Sequence, residues 1–160
     1  MNTHLPAKER IRISALLVSS KLDKYIELHD LILKRGGSLR SFVKNLLGIP
    51  VPFDQFVQRA KELEKELSSV ISGIVSMKGN IKETMTLDEA EYLDCLLSYA
   101  SSLHETIVAL CQRQQAYLQK SRGSKLDWST AKALDESYKK AIQRYQEVGG
   151  KLNQLSHVVF

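Results

Sequence analysis

Apolar residues recur in alternating steps of three and four along most of the chain, which is the spacing of one face of an α-helix. Two such runs predict helices over residues 53–85 and 87–120. A third predicts a helix over 128–148, which either ends at the glycine pair 149–150 or continues past it, broken or kinked, to Val159. The three runs are Phe53, Phe56, Ala60, Leu63, Leu67, Val70, Ile74, Met77 and Ile81; Leu93, Leu96, Ala100, Leu103, Ile107, Leu110 and Tyr117, with the polar Gln114 in the same series; and Ala131, Leu134, Tyr138, Ala141, Tyr145, Val148, Leu152 and Leu155.

Polar residues mark where these predicted helices begin. Thr86 and Glu89 have the spacing of a capping box, in which each side chain bonds the other residue's backbone N–H. Asp127 or Ser129 is placed to cap the third helix. Each predicted helix has a narrow apolar stripe and a wide polar remainder, so none can bury its stripe alone. The sequence therefore predicts a bundle or a coiled-coil dimer.

The first fifty residues fit two interpretations. In one, a single helix runs to the glycine pair 36–37, and the whole chain is an all-α four-helix bundle. That helix would carry apolar residues on one face, again in steps of four and three. They are Ile11, Ala15, Val18, Leu22, Tyr25, His29 and Ile32.

In the other interpretation the chain begins with a strand over residues 8–15, where basic and apolar residues alternate. Ser19 or Ser20 then caps a helix from about residue 21 to 35, and Ser38 caps a second helix over 39–47. We prefer this interpretation because a helix over residues 7–35 is long for a globular protein and would carry two serines in its middle. The predicted fold class is mainly α: a strand–helix–helix module at 1–50, followed by a three-helix bundle or coiled-coil extension at 51–160 for dimerisation or partner binding.

This order of elements resembles the ribbon-helix-helix family of DNA-binding modules. Together with the longer helical tail, it is similar to the relaxosome accessory proteins of plasmid mobilisation in conjugation, which assist a relaxase at the transfer origin. One departure is the run Ala15–Val18, which is more apolar than a junction between strand and helix needs. The residues that carry the resemblance are Arg10–Ser14, Leu22, Tyr25, Ile26, Arg35–Ser38 and Phe42–Leu47.

The resemblance implies a homodimer in which the strands of two chains pair into a ribbon that enters the major groove. One face of this ribbon would read bases, because arginine and serine side chains can bond base edges. The N-terminus of the second helix would bind phosphate. The DNA-binding residues implied are Lys8, Arg10, Arg12 and Ser14 on the ribbon, with Ser38, Arg40 and Lys44 from the second helix and its start.

The distribution of charge agrees with an anionic partner. The net charge is +5, and residues 1–50 hold nine Lys and Arg against four Asp and Glu. Residues 121–160 hold seven against four, whereas the middle of the chain is acidic. Basic ends favour nucleic acid or an anionic surface.

No motif for catalysis, for a cofactor or for metal binding is found, so we expect no enzyme activity, no cofactor and no metal site. No apolar run is long enough for a membrane span or a signal segment. Cys95 and Cys111 lie in one predicted helix, about 24 Å apart, and cannot pair within it. Reduced thiols are typical of a cytoplasmic protein.

Two functions follow from these patterns. The resemblance favours a non-enzymatic homodimeric DNA-binding protein, either an accessory factor at a plasmid transfer origin or a transcriptional repressor, whose tail binds a relaxase or another protein. The long apolar stripes of the predicted helices, here called seams, favour the alternative, a helical adaptor or dimerisation protein with no role on nucleic acid. We expect Trp128 to pack over a loop, with a partner-binding anchor as the alternative.

Overall fold

The computed structural model describes residues 5–35 and 51–160, and over these ranges the chain forms four α-helices and no strand. The helices pack around one hydrophobic core to which each contributes. The described part of the chain is therefore an all-α bundle, as the first interpretation predicts. The helices are α1 (Ala7–Arg35), α2 (Phe53–Ile81), α3 (Leu87–Ser121) and α4 (Trp128–Val159).

The predicted seams of α2 and α3 are the buried faces of these helices. Phe56 and Leu67 of α2 have no exposed surface, and the same holds for Leu93, Leu103 and Leu110 of α3. A leucine or phenylalanine that is fully buried contributes about 1.5–3 kcal/mol relative to an exposed one. Burial of these stripes therefore stabilises α2 and α3, because a helix with a wide polar face is only marginally stable alone in water.

The predicted caps of α3 and α4 are confirmed. The Glu89 backbone N–H donates to the Thr86 hydroxyl at 3.2 Å, and the Thr86 N–H donates to the Glu89 carboxylate at 2.9 Å. Asp127 caps α4 by accepting from the Thr130 N–H at 2.8 Å. Hydrogen bonds from the Ser129 hydroxyl and from Thr130 lower the pKa of Asp127 to about 2. These bonds satisfy backbone donors that helix starts leave open.

The predicted N-terminal strand is wrong, because residues 8–15 lie in α1, a single helix of 29 residues. The residues that decide this are Ile11, Val18, Tyr25 and Ile32, which repeat at every seventh position and are all buried. A strand over 8–15 buries Ile11 alone of this set, whereas one helix buries all four. The two serines at 19–20 are exposed and interrupt nothing. The predicted helix at 39–47 lies outside the described residues.

The glycine pair in α4 does not end the helix, which continues to Val159. Gly149 faces α3, where a Cβ would lie 3.0 Å from Cε2 of Tyr99, whereas a Cβ on Gly150 would meet open space. Glycine at position 149 thus allows α4 to approach α3 closely, at the usual cost in helix propensity.

Helix α3 is central and contacts all three other helices. The ammonium groups of Lys21 and Lys24 each lie 2.7 Å from the Glu66 carboxylate and join α1 to α2. The hydrogen bond from Lys21, followed by that from Lys24, lowers the pKa of Glu66 to about 2. Helices α1 and α4 run antiparallel, because Lys8 lies beside Phe160 and Tyr25 beside Tyr138, and a gap remains between their backbones.

Candidate partner-binding groove

The gap between α1 and α4 is an open groove of about 380 Å³. Its floor is the face of α3 that carries Leu96, together with Val18 and Leu152 from the flanking helices. Its α1 wall includes Leu16, whose side chain is 63% exposed. The remaining residues that line the groove are Arg12, Ala15, Ser19, Leu22, Tyr92, Tyr99, Gly149, Asn153 and Phe160.

One end of the groove is closed by aromatic rings. The rings of Tyr92 and Phe160 meet edge to face with centroids 5.2 Å apart. The ammonium group of Lys8 lies 5.8 Å from the centroid of Phe160. Burial raises the pKa of Tyr92, and burial also raises the pKa of Tyr99 to about 12. Both phenols are therefore neutral near pH 7, and they line the groove beside its apolar floor.

The opposite end of the α1–α4 contact holds a buried polar cluster. The hydroxyl groups of Tyr25 and Tyr138 share a hydrogen bond of 2.7 Å. Nε of Arg113 lies 2.7 Å from a carboxylate oxygen of Asp135. The guanidinium also lies over the rings of Tyr117 and Tyr138, with centroid distances of 5.6 and 5.3 Å. These contacts tie α1, α3 and α4 together through side chains.

The ionisable groups of the polar cluster are suited to a structural role. Burial raises the pKa of Tyr25, and it raises the pKa of Tyr138 to about 12. Burial also lowers the pKa of the nearby His29. The 2.7 Å contact of Arg113 with Asp135 is an ion pair without the alignment of a hydrogen bond, since both atoms lack one. The cluster joins α1 to α4 through the Tyr25–Tyr138 hydrogen bond and α3 to α4 through the ion pair.

The structure distributes the predicted base-reading residues over different sides of α1. Residues two apart on a helix point about 200° apart, so the alternation that aligns four side chains on a strand scatters them here. Arg12 lines the groove and Lys8 lies over the Phe160 ring at its end, whereas Ser14 is 2% exposed and donates its hydroxyl to the Arg10 carbonyl. Nε of Arg10 is buried. The predicted ribbon face is thus not formed.

The other predicted DNA-binding residues, Ser38, Arg40 and Lys44, lie outside the described residues. A ribbon-helix-helix module begins with a strand, and the residues predicted to form it here, 8–15, are helical. Its DNA-binding role stays a prediction that needs a different surface.

Sequence reasoning missed most residues of the groove, although one signal pointed to it. The run Ala15–Val18 is more apolar than a strand–helix junction requires, and Leu16 in this run is a wall of the groove. Nothing in the sequence pairs Arg113 with Asp135, which are 22 positions apart on different helices. The expectation that Trp128 packs over a loop is also wrong, since its side chain is exposed.

Comparison of the chain with protein-family models finds no match, and neither does comparison with curated proteins or with solved structures. None of the four helices is both long and apolar enough to span a membrane. Among residues 5–35 and 51–160, no group of three or more His, Cys, Asp or Glu is arranged to hold a metal ion. The class defined by the described residues is an all-α bundle with an open groove between its first and last helices.

Proposed function

We propose that this protein is a non-enzymatic helical binding protein that holds an α-helix of a protein partner in the groove between α1 and α4. The observation that carries the proposal is the groove itself, whose floor is apolar and whose wall presents Leu16 to solvent. An amphipathic helix binds such grooves by inserting apolar side chains spaced three and four residues apart. This is the adaptor role that the long seams favour.

The shape of the groove favours a helix over a small molecule. Its α1 wall extends from Arg12 to Leu22, which is a rise of about 15 Å along the helix. A pocket for a small molecule encloses most of its ligand. Here Leu16 protrudes at the rim instead, where it can interdigitate with the side chains of an opposing helix.

A second candidate function, DNA binding, is favoured by the charge at the end of the bundle where α1 finishes and α4 begins. Lys34 and Arg35 end α1, and Arg122 and Lys125 lie in the connection between α3 and α4; all four are exposed. The exposed Trp128 follows directly and offers an aromatic face on which a base could stack. Lysine and arginine at this end would bind phosphates without reading sequence.

Photocrosslinking at two positions tests both candidates. We expect p-benzoylphenylalanine in place of Leu16 to crosslink, in cells that express the protein, to an amphipathic helical segment that mass spectrometry then maps. The reason is that residue 16 would lie against the bound helix. The same amino acid in place of Trp128 is expected to give no crosslink to nucleic acid.

Val75 provides the matched control, because it is an exposed aliphatic residue of α2, which does not line the groove. A crosslink from position 16 that also forms from position 75 is non-specific and contradicts the groove. A crosslink to nucleic acid from position 128, with none from position 16, would favour the DNA-binding function instead.

A further inference from the structure

Helix α1 carries a second row of positions beside its buried seam, and this row faces the groove and solvent. Within the helix it repeats every seventh residue through Arg12, Ser19, Ile26 and Leu33, and Leu5 continues the spacing just before the helix begins. The three large apolar members of the row are exposed, as is Leu16 beside it. From Arg12 to Leu33 the row extends along the helix for about 32 Å, beyond the α1 wall of the groove, which ends at Leu22. An apolar row at heptad spacing is the pattern of a helix that packs on another helix.

Charges on this flank of α1 are divided between its two halves. Lys8 and Arg12 lie in the N-terminal half, and Asp23 and Asp30 lie in the C-terminal half before Lys34 near its end, all five exposed. A helix that packs here in antiparallel orientation and carries the same charge order would bring opposite charges together. The chain itself contains such a helix, namely α1.

We propose that the occupant of this face is a second copy of the chain, with the two α1 helices antiparallel about a two-fold axis at Ser19. This inference rests on the proposed function and names its partner. The row maps onto itself under this symmetry: Arg12 lies opposite Ile26 of the second copy, and beside the row Leu16 lies opposite Leu22. Lys8 lies opposite Asp30, so each dimer has this charge pair twice. The contact is isologous, as in most soluble dimers.

The residues near the axis permit close approach. Ser19 is small, and Ala15 lies one turn before it on the same flank. The distance between packed helices falls with the size of the side chains at their contact. The large apolar residues of the row lie toward its ends. Leu16 lies beside the row, three positions from the axis, where the Leu16 side chain of each copy can enter the groove of the other.

Two charge reversals test the antiparallel pairing in the full-length chain. We expect wild-type protein to sediment as a dimer. In the Lys8→Glu variant, a glutamate at position 8 of each copy lies opposite Asp30 of the other, so two like-charge pairs form in the dimer. In the Asp30→Lys variant, a lysine at position 30 lies opposite Lys8 in the same way. Each variant alone should weaken self-association by about tenfold or more. An equimolar mixture should regain the wild-type affinity as a heterodimer, because both charge pairs are then opposite again.

Lys140→Glu is the control, since it makes the same charge reversal on an exposed position of α4 that does not line the groove. It should sediment as wild type does, and circular dichroism should report equal helix content in all variants. Two results would overturn the proposal that a second copy occupies this face. One is wild-type protein that stays monomeric at all concentrations, and the other is a mixture that does not recover dimers. A crosslink from position 16 to another protein in that case leaves the proposed function standing; no crosslink removes both.

Discussion

Replacing Asp135 with alanine is expected to destabilise the protein by about 3–5 kcal/mol, because it leaves the Arg113 guanidinium buried without its counter-ion. The Arg113 side chain is 8% exposed and that of Asp135 is 15% exposed, so water can replace little of the lost interaction. The two tyrosine rings beside the guanidinium retain some of its stabilisation. Urea denaturation followed by circular dichroism measures the change in the free energy of unfolding.

A neighbouring residue supplies the control for this prediction. Glu136 is exposed, and its carboxylate lies 3.8 Å from the ammonium group of Lys132, so Glu136→Ala should cost less than about 1 kcal/mol. The double replacement Arg113→Met with Asp135→Leu should recover most of the loss, because it removes both buried charges together. If Asp135→Ala behaves like Glu136→Ala, the ion pair is hydrated and does not tie α3 to α4.

Two isoleucines in α1 should differ strongly in their cost of truncation. Ile11→Ala is expected to destabilise the protein by about 2–5 kcal/mol, because the side chain is fully buried in the core. Ile13→Ala should cost less than about 1 kcal/mol, because Ile13 is partly exposed and lies outside the core cluster. Urea denaturation of the two variants under the same conditions measures both.

The pair is informative because both changes remove the same atoms, and the two residues are two positions apart. On a strand they would share one face and would cost similar amounts. On a helix they point about 200° apart, and one is buried while the other is not. Equal losses for the two variants would contradict α1 as the structure has it.

The fold of residues 53–160 could be predicted from the sequence because its signals are local. A heptad seam over 29 residues cannot be mistaken for a strand, and the buried residues of α2 follow it from Phe53 to Ile81. The capping box of Thr86 and Glu89 needs only two residues three positions apart, and both its bonds form. Both features can be recognised from the spacing of residues that are close in sequence.

The first helix could not be assigned in this way, because two periods fit the same residues. Residues 8–15 alternate as a strand does, and the alternation is a local signal. The helix is decided by packing along its full length, where Tyr25 and Ile32 continue the seam that Ile11 begins. Tertiary burial outweighs a short local preference for extended backbone.

The groove depends on distance between helices, which the sequence does not express. Phe160 and Lys8 meet at its end although they stand at opposite ends of the chain. Gly149 was expected to interrupt α4, whereas it brings α4 against Tyr99. The sequence therefore predicted that each apolar stripe needs another helix to cover it, and it did not locate the groove.

The backbone conformation of residues 8–18 decides between the two predicted functions, because these residues form either a wall of the groove or a DNA-reading ribbon. NMR of the full chain, isotopically labelled, gives Cα secondary shifts and nuclear Overhauser effects for each residue. We expect positive Cα secondary shifts throughout, with strong contacts between successive amide protons. Negative Cα shifts over residues 9–15, with strong contacts between each Hα and the next amide proton, would show extended backbone and contradict the groove.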